Sequence, residues 1–145
     1  MKVIKKIIQY AVVFIIGLMI LNVIAEIFRS MAMGVEGIVR IDEERLWNYF
    51  YISLLSILFG ILIEWKRVLK ILKGDINFNW LIIPTVIFLI ISLTPHTYTF
   101  RLVGIASYRH TPLGVFFAPM QYTHILIMIG ILTGVMLVRS FKNET

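Results

Sequence analysis

Four long apolar runs alternate with polar segments along the chain. The first three cover residues 7–25, 46–63 and 80–94, and the fourth ends at residue 138. About 20 helical residues cross a hydrocarbon core of about 30 Å, so each run, with its flanks, can form a transmembrane helix. The pattern predicts an all-α integral membrane protein, a bundle of four transmembrane helices. The predicted spans are residues 5–27, 44–64, 79–97 and 119–139, with an amphipathic extension of the second span to residue 73.

Composition favours a membrane protein over a soluble domain. Of the 145 residues, 59% are hydrophobic and 15% are charged, whereas soluble domains carry about 25% charged residues. The connections between the apolar runs are too short to fold as a separate domain with its own core. The lack of cysteine excludes disulfides, thiolate nucleophiles, Cys-ligated zinc, iron–sulfur clusters and thioether-linked haem. We therefore expect the whole protein to act in or beside the bilayer.

The distribution of basic residues predicts an orientation. Nine of the 14 Lys and Arg residues lie on one set of alternate polar segments, together with all seven lysines, and five lie on the other set. By the positive-inside rule, this predicts that both termini lie in the cytoplasm. We expect the membrane to be the plasma membrane. The same distribution explains the net charge of +6 without a nucleic-acid partner, because most of the basic residues flank apolar runs instead of forming one solvated patch.

A basic amphipathic segment follows the second apolar run. Apolar residues at helical spacing (Trp65, Val68, Leu69, Leu72) alternate with the basic residues Lys66, Arg67, Lys70 and Lys73. One interpretation is a topology anchor whose cations contact anionic lipid headgroups. The alternative is docking to an acidic cytoplasmic partner. The orientation rule favours the first interpretation, since juxtamembrane basic clusters are its ordinary product.

Small residues at a spacing of four mark two of the predicted spans. Gly130 and Gly134 form a G-x-x-x-G motif in the fourth span, and Ser56 and Gly60 form a similar pair in the second. Small side chains allow helix backbones to approach closely inside a membrane. We expect these residues to pack helices within one chain, with a homodimer interface as the alternative.

Polar residues within the spans concentrate near the predicted outer boundary. Counting depth at 1.5 Å per residue from the cytoplasmic ends places them in one layer, which we call the polar cup. The external connection that follows the third span adds two arginines and a histidine, and Glu26 lies at the boundary itself. The candidate ligand- or partner-binding residues are Asn22, Glu26, Asn48, His96, Arg101, Arg109, His110, Gln121 and His124, with Thr94 in the same layer. The competing interpretation is an interfacial belt that binds nothing, because aromatic and basic residues are favourable at headgroup level.

No catalytic motif accompanies these residues. H-E-x-x-H, G-x-S-x-G and Walker patterns are missing from the sequence, and no ionisable residue lies at the middle of a span, where a transporter would need one. We therefore predict no catalytic residue and a non-enzymatic subunit, sensor or protective factor that acts on another membrane protein. The alternative is a redox protein that binds haem or a metal ion between His96 and His124. A lipid-processing enzyme or a transporter is less favoured.

Overall fold

The computed structural model describes residues 2–33, 43–74, 77–94 and 122–142, and this part of the chain is almost entirely helical. Three of its helices, α1, α2 and α5, are long and apolar enough to cross a membrane. The elements in chain order are α1 (Lys2–Met33), α2 (Glu43–Ile63), α3 (Trp65–Ile71), β1 (Asn77–Phe78), α4 (Ile82–Leu93), α5 (Thr123–Ser140) and β2 (Phe141–Lys142).

Helices α2 and α5 form the central pair of the bundle and run parallel to each other. A side chain at Gly130 would lie beside Ser53, and one at Gly134 would lie beside Ile57, so positions advance in the same direction along both helices. The interface combines small residues with Ile57, whose backbone faces both glycines of α5 and whose side chain is buried. Parallel packing follows from the chain path, since α2 and α5 each return to the end of the molecule at which α1 begins.

Helix α1 runs antiparallel to α2 and packs on its outer side. A Cβ atom at Gly17 would lie 3.2 Å from Cε2 of Phe59, and Lys66, just beyond α2, sits over the ring of Tyr10. Ile24 is buried, whereas most other large side chains of α1 are exposed on the bundle surface. At 1.5 Å per residue, the 32 residues of α1 extend about 48 Å, which exceeds the hydrocarbon thickness.

Helix α4 packs against α5 and is shorter than the predicted span of residues 79–97. Its 12 residues end at Leu93, and Thr94 adopts an extended conformation (φ −81°, ψ 113°). The sequence explains this end, because a proline at position 95 disfavours helical geometry in the residue before it. Residues 95–97 lie outside the described part of the chain.

A two-residue β-ladder closes the end of the bundle where α4 begins and α5 ends. Asn77 pairs with Lys142 and Phe78 pairs with Phe141 in antiparallel register. The N–H of Asn79 donates to the carbonyl of Ser140 at 2.7 Å. These bonds fix the start of α4 beside the end of α5, so the two helices are antiparallel.

The predicted extension of the second span is a separate helix. Glu64 has φ −90° and ψ 26°, and its N–H donates to the carbonyl of Ile61, three residues earlier. This geometry interrupts the i to i−4 ladder and separates α3 from α2. The helix ends in a turn in which Gly74 has φ 101°, a conformation that glycine adopts without steric cost.

Candidate functional site

Two ends of the bundle carry the polar groups, and their positions follow from the helix directions. One end gathers the start of α1, the end of α2, helix α3, the start of α4 and the end of α5. We call it the basic end, and the charged side chains that the structure describes there are Glu64, Lys66, Arg67, Lys70, Lys73 and Arg139. The other end gathers the N-terminal ends of α2 and α5 with the C-terminal ends of α1 and α4, and it contains the described part of the polar cup.

Glu64 is the centre of the basic end. Its side chain is only 15% exposed, and its Oε1 accepts a hydrogen bond from Nε of Arg139 at 2.7 Å. Nε of Arg67 lies 3.6 Å from the second carboxylate oxygen. One carboxylate thus pairs with a cation from α3 and a cation from the last turn of α5. Sequence reasoning singled out neither Glu64 nor Arg139, because partners 75 positions apart meet only through the parallel packing of α2 and α5.

The two lysines of α3 and Lys73 in the turn after it have different surroundings from Arg67. Lys66, Lys70 and Lys73 are all exposed. Nζ of Lys66 lies 5.2 Å from the ring centroid of Tyr10, a cation–π distance that joins α3 to α1. Helix α3 therefore lies between α1 and α5, with its lysines free of acidic partners within the described residues.

Aromatic side chains flank the basic end. The rings of Phe78 and Phe141 lie 5.3 Å apart on the β-ladder. Trp80 is 83% exposed at the start of α4, and Trp65 is half-buried at the start of α3. Exposed aromatic residues beside cations are typical of the membrane–water interface.

The described members of the polar cup lie near the opposite end. The parallel register of α2 and α5 puts the half-buried Asn48 at the level of the exposed His124, whose ring stacks on Tyr122 with centroids 5.5 Å apart. Asn22 is exposed on α1, and Glu26 is exposed and lies 3.5 Å from Arg29. No hydrogen bond joins Asn22, Asn48 and His124 to one another among the described residues. The remaining candidates, His96, Arg101, Arg109, His110 and Gln121, lie outside the described residues.

Most of the buried polar groups in the interior are small hydroxyls that donate to carbonyls of their own helices. Ser56 donates to the carbonyl of Ile52, and Thr85 donates to that of Leu81. Thr133 donates likewise to the carbonyl of Ile129 at 2.7 Å. Ser92 differs, because its buried Oγ has no hydrogen-bond partner among the described residues. Within the described helices, the buried polar residues are all serine or threonine, and none is charged.

The predicted packing residues meet along the contact between α2 and α5. A Cβ atom at Gly134 would collide with the carbonyl of Ile57 and lie 2.9 Å from Cα of Gly60. A Cβ at Gly130 would lie 2.6 Å from Cβ of Ser56. All four small residues therefore lie on one interface inside the chain, which we call the glycine seam.

The described residues contain no cluster of three or more His, Asp or Glu side chains that could hold a metal ion. His124 is the only histidine among them, and its proposed partner His96 lies outside the described segments.

Comparison with known proteins adds no relative. No protein-family model, no curated protein and no solved structure matches this chain.

Proposed function

We propose that this chain is a small multi-pass protein of the plasma membrane, without catalytic activity of its own, that acts as a subunit, sensor or protective factor for another membrane protein. The polar cup is the proposed contact surface. The observation that supports it is the position of Asn48 and the exposed His124 at one level, at the N-terminal ends of the parallel helices α2 and α5. Polar groups within a span make membrane insertion less favourable than apolar residues would. Their presence in the spans therefore favours a functional role for these polar residues.

The proposed membrane arrangement has four crossings with both termini in the cytoplasm. Helices α1, α2 and α5 supply three crossings, and α4 with its flanking residues supplies the fourth. The helix of α4 is about 18 Å long at 1.5 Å per residue, so residues on both sides must complete the passage of the hydrocarbon core. The arrangement is supported by the fold, since the start of α1 and the end of α5 lie at the same end of the bundle.

Photo-crosslinking in the native membrane tests the contact surface. A photoreactive amino acid replaces His124 in one variant and Met128 in another. The two positions are one helical turn apart on α5 and both are exposed, with Met128 at 68%, so they share a face and differ in depth. We expect a discrete adduct with one membrane protein at His124 and only lipid adducts at Met128.

The result that would contradict the proposal is lipid labelling alone at both positions. In that case the cup is an interfacial belt. Functional support comes from single alanine variants of His96, Arg101 and Arg109, each combined with the photoreactive residue in place of His124. These variants should lose the crosslinked partner while their membrane insertion and expression stay normal.

A second candidate function is haem or metal binding by His96 and His124. The exposed imidazole of His124 supports it, since a neutral imidazole nitrogen can serve as a ligand. A visible absorption spectrum and metal analysis of the purified protein test this candidate. A Soret band or stoichiometric metal that both His96→Ala and His124→Ala abolish would favour the redox function over the accessory one.

A further inference from the structure

The basic residues of α3 separate into two groups with different surroundings. We propose that Lys66, Lys70 and Lys73 form a binding site for anionic phospholipid headgroups, and that Arg67 is a positioning residue that holds α3 through Glu64. This proposal concerns the basic end and does not depend on the function of the polar cup.

The three lysines form one row along α3. They stand at positions i, i+4 and i+7, which share one side of a helix. Lys73 lies just past the helix, but its N–H donates to the carbonyl of Lys70 at 3.0 Å, so the helical turn continues to it. Each lysine is exposed, and the cation–π contact with Tyr10 places the first of them beside α1. The row therefore presents three positive charges along one line.

Arg67 is oriented differently. It stands about 100° around the helix from Lys66, and its guanidinium lies 3.6 Å from Glu64, which also holds Arg139. Two arginines share one carboxylate, so the charge of Arg67 is compensated only in part, but its guanidinium is directed at Glu64. Its contact is with a side chain that is only 15% exposed, which favours a structural role over contact with headgroups.

An anionic membrane surface fits this row better than an acidic soluble protein does. Helix α3 begins one residue after α2, which is long and apolar enough to cross a membrane, so its lysines lie at headgroup level if α2 spans the bilayer. The neighbouring apolar residues Leu72 and Trp80 are 75% and 83% exposed. Exposed apolar side chains beside lysines suit insertion into the interface, where phosphate groups and acyl chains meet.

The test uses the full-length protein with Trp47→Phe and Trp80→Phe, which leaves Trp65 in α3 as the single tryptophan. Quenching of its fluorescence by brominated phosphatidylglycerol is compared with quenching by brominated phosphatidylcholine. We expect a preference for the anionic lipid that falls with added salt. Each Lys→Gln change should reduce the preference about fivefold, corresponding to about 1 kcal/mol per basic residue near an anionic surface.

Charge-matched variants separate the two groups. Lys70→Gln and Arg67→Gln each remove one positive charge. Lys70→Gln should reduce the lipid preference without changing the thermal midpoint, whereas Arg67→Gln should lower the midpoint and leave the preference within about twofold. The triple change of Lys66, Lys70 and Lys73 to Gln should reduce the preference for the anionic lipid by a factor on the order of a hundred, which abolishes it. The triple change to Arg should retain it.

Two results would overturn the inference. Equal loss of preference in Lys70→Gln and Arg67→Gln would mean that the charge acts diffusely and that Arg67 belongs to the same surface. A preference that survives the triple Gln variant would place the lipid contact elsewhere and leave the lysines for an acidic protein partner.

Discussion

Nε of Arg139 lies 2.7 Å from Oε1 of Glu64, and this contact joins the C-terminal ends of α2 and α5. Both residues stand at the point where their helices leave the apolar region. The Glu64 side chain is 15% exposed and the Arg139 side chain is 54% exposed, so the pair is partly screened by solvent. The Glu64–Arg139 pair lies at the same end of α2 and α5 as Gly60 and Gly134 of the glycine seam. The pair therefore favours one register of α2 against α5.

A double-mutant cycle of Glu64→Gln and Arg139→Gln measures this coupling. Each single change should lower the free energy of unfolding by about 1 kcal/mol, because a charge-assisted hydrogen bond is lost from a partly exposed site. The double variant should lose less than the sum of the two single changes. The measurement is the midpoint of thermal unfolding in detergent.

The pair Glu26 and Arg29 provides a matched control. These residues lie 3.5 Å apart on α1, and both are largely exposed, at 74% and 66%. Glu26→Gln should leave the midpoint unchanged, since exposed i, i+3 pairs contribute little to stability. Additive effects in the Glu64 and Arg139 cycle, or an equal loss at Glu26, would show that the contact at the basic end does not stabilise the bundle.

Alanine at Gly134 should destabilise the bundle strongly. The added Cβ would collide with the carbonyl of Ile57 and lie 2.8 Å from the N atom of Ile61, and backbone atoms cannot move aside cheaply. We expect a loss of about 1–3 kcal/mol, the usual cost of overpacking. Gly60→Ala should behave similarly, because its Cβ would collide with the carbonyl of Ile131.

Gly17→Ala is the control for helix propensity and for packing in general. Its Cβ would lie 3.2 Å from the ring of Phe59, a side chain that can shift. This variant should change the thermal midpoint much less than Gly134→Ala. If Gly134→Ala instead kept its midpoint and converted a dimer to a monomer, the seam would join two chains.

The sequence predicted the helical class and most helix positions because apolar run length is a strong signal for membrane spans. The spacing of Ser56, Gly60, Gly130 and Gly134 also indicated a close helix contact. It could not indicate which helices meet, since small residues permit close approach in any pair. The parallel pairing of α2 with α5 depends on the whole chain path.

Three features of the basic end were not predicted, for related reasons. The break at Glu64 was missed because the apolar periodicity continues from α2 into α3 without a proline or glycine. The contact of Glu64 with Arg139 and the β-ladder of Phe78 with Phe141 join distant segments, and local pattern carries no such information. The end of α4 at Leu93 did have a local signal, the proline at position 95. In the prediction of the third span, the run of apolar residues outweighed that signal.

Ser92→Ala should stabilise the protein, in contrast to Ser56→Ala. Within the part of the chain that the structure describes, the Oγ of Ser92 is buried without a hydrogen-bond partner, so its removal should relieve a desolvation cost of about 1 kcal/mol. Ser56 donates to the carbonyl of Ile52 at 2.7 Å, and its loss should be neutral or slightly destabilising. Thermal midpoints of the two variants give the comparison. A lower midpoint for Ser92→Ala would mean that the hydroxyl has a partner in the membrane, such as water or another protein.

Membrane orientation can be tested by single-cysteine labelling, because the chain has no native cysteine to remove. Lys73→Cys reports on the basic end and Tyr122→Cys on the opposite end, and both positions are exposed. The excess of basic residues at the first end predicts a cytoplasmic location for it. In intact cells, a membrane-impermeant maleimide should therefore label Tyr122→Cys and leave Lys73→Cys unlabelled until the membrane is permeabilised. The reverse pattern would invert the orientation and place the lysine row outside. Labelling of both positions in intact cells would mean that α2 and α5 do not cross the bilayer, since these parallel helices run from the end of the bundle that holds Tyr122 to the basic end that holds Lys73.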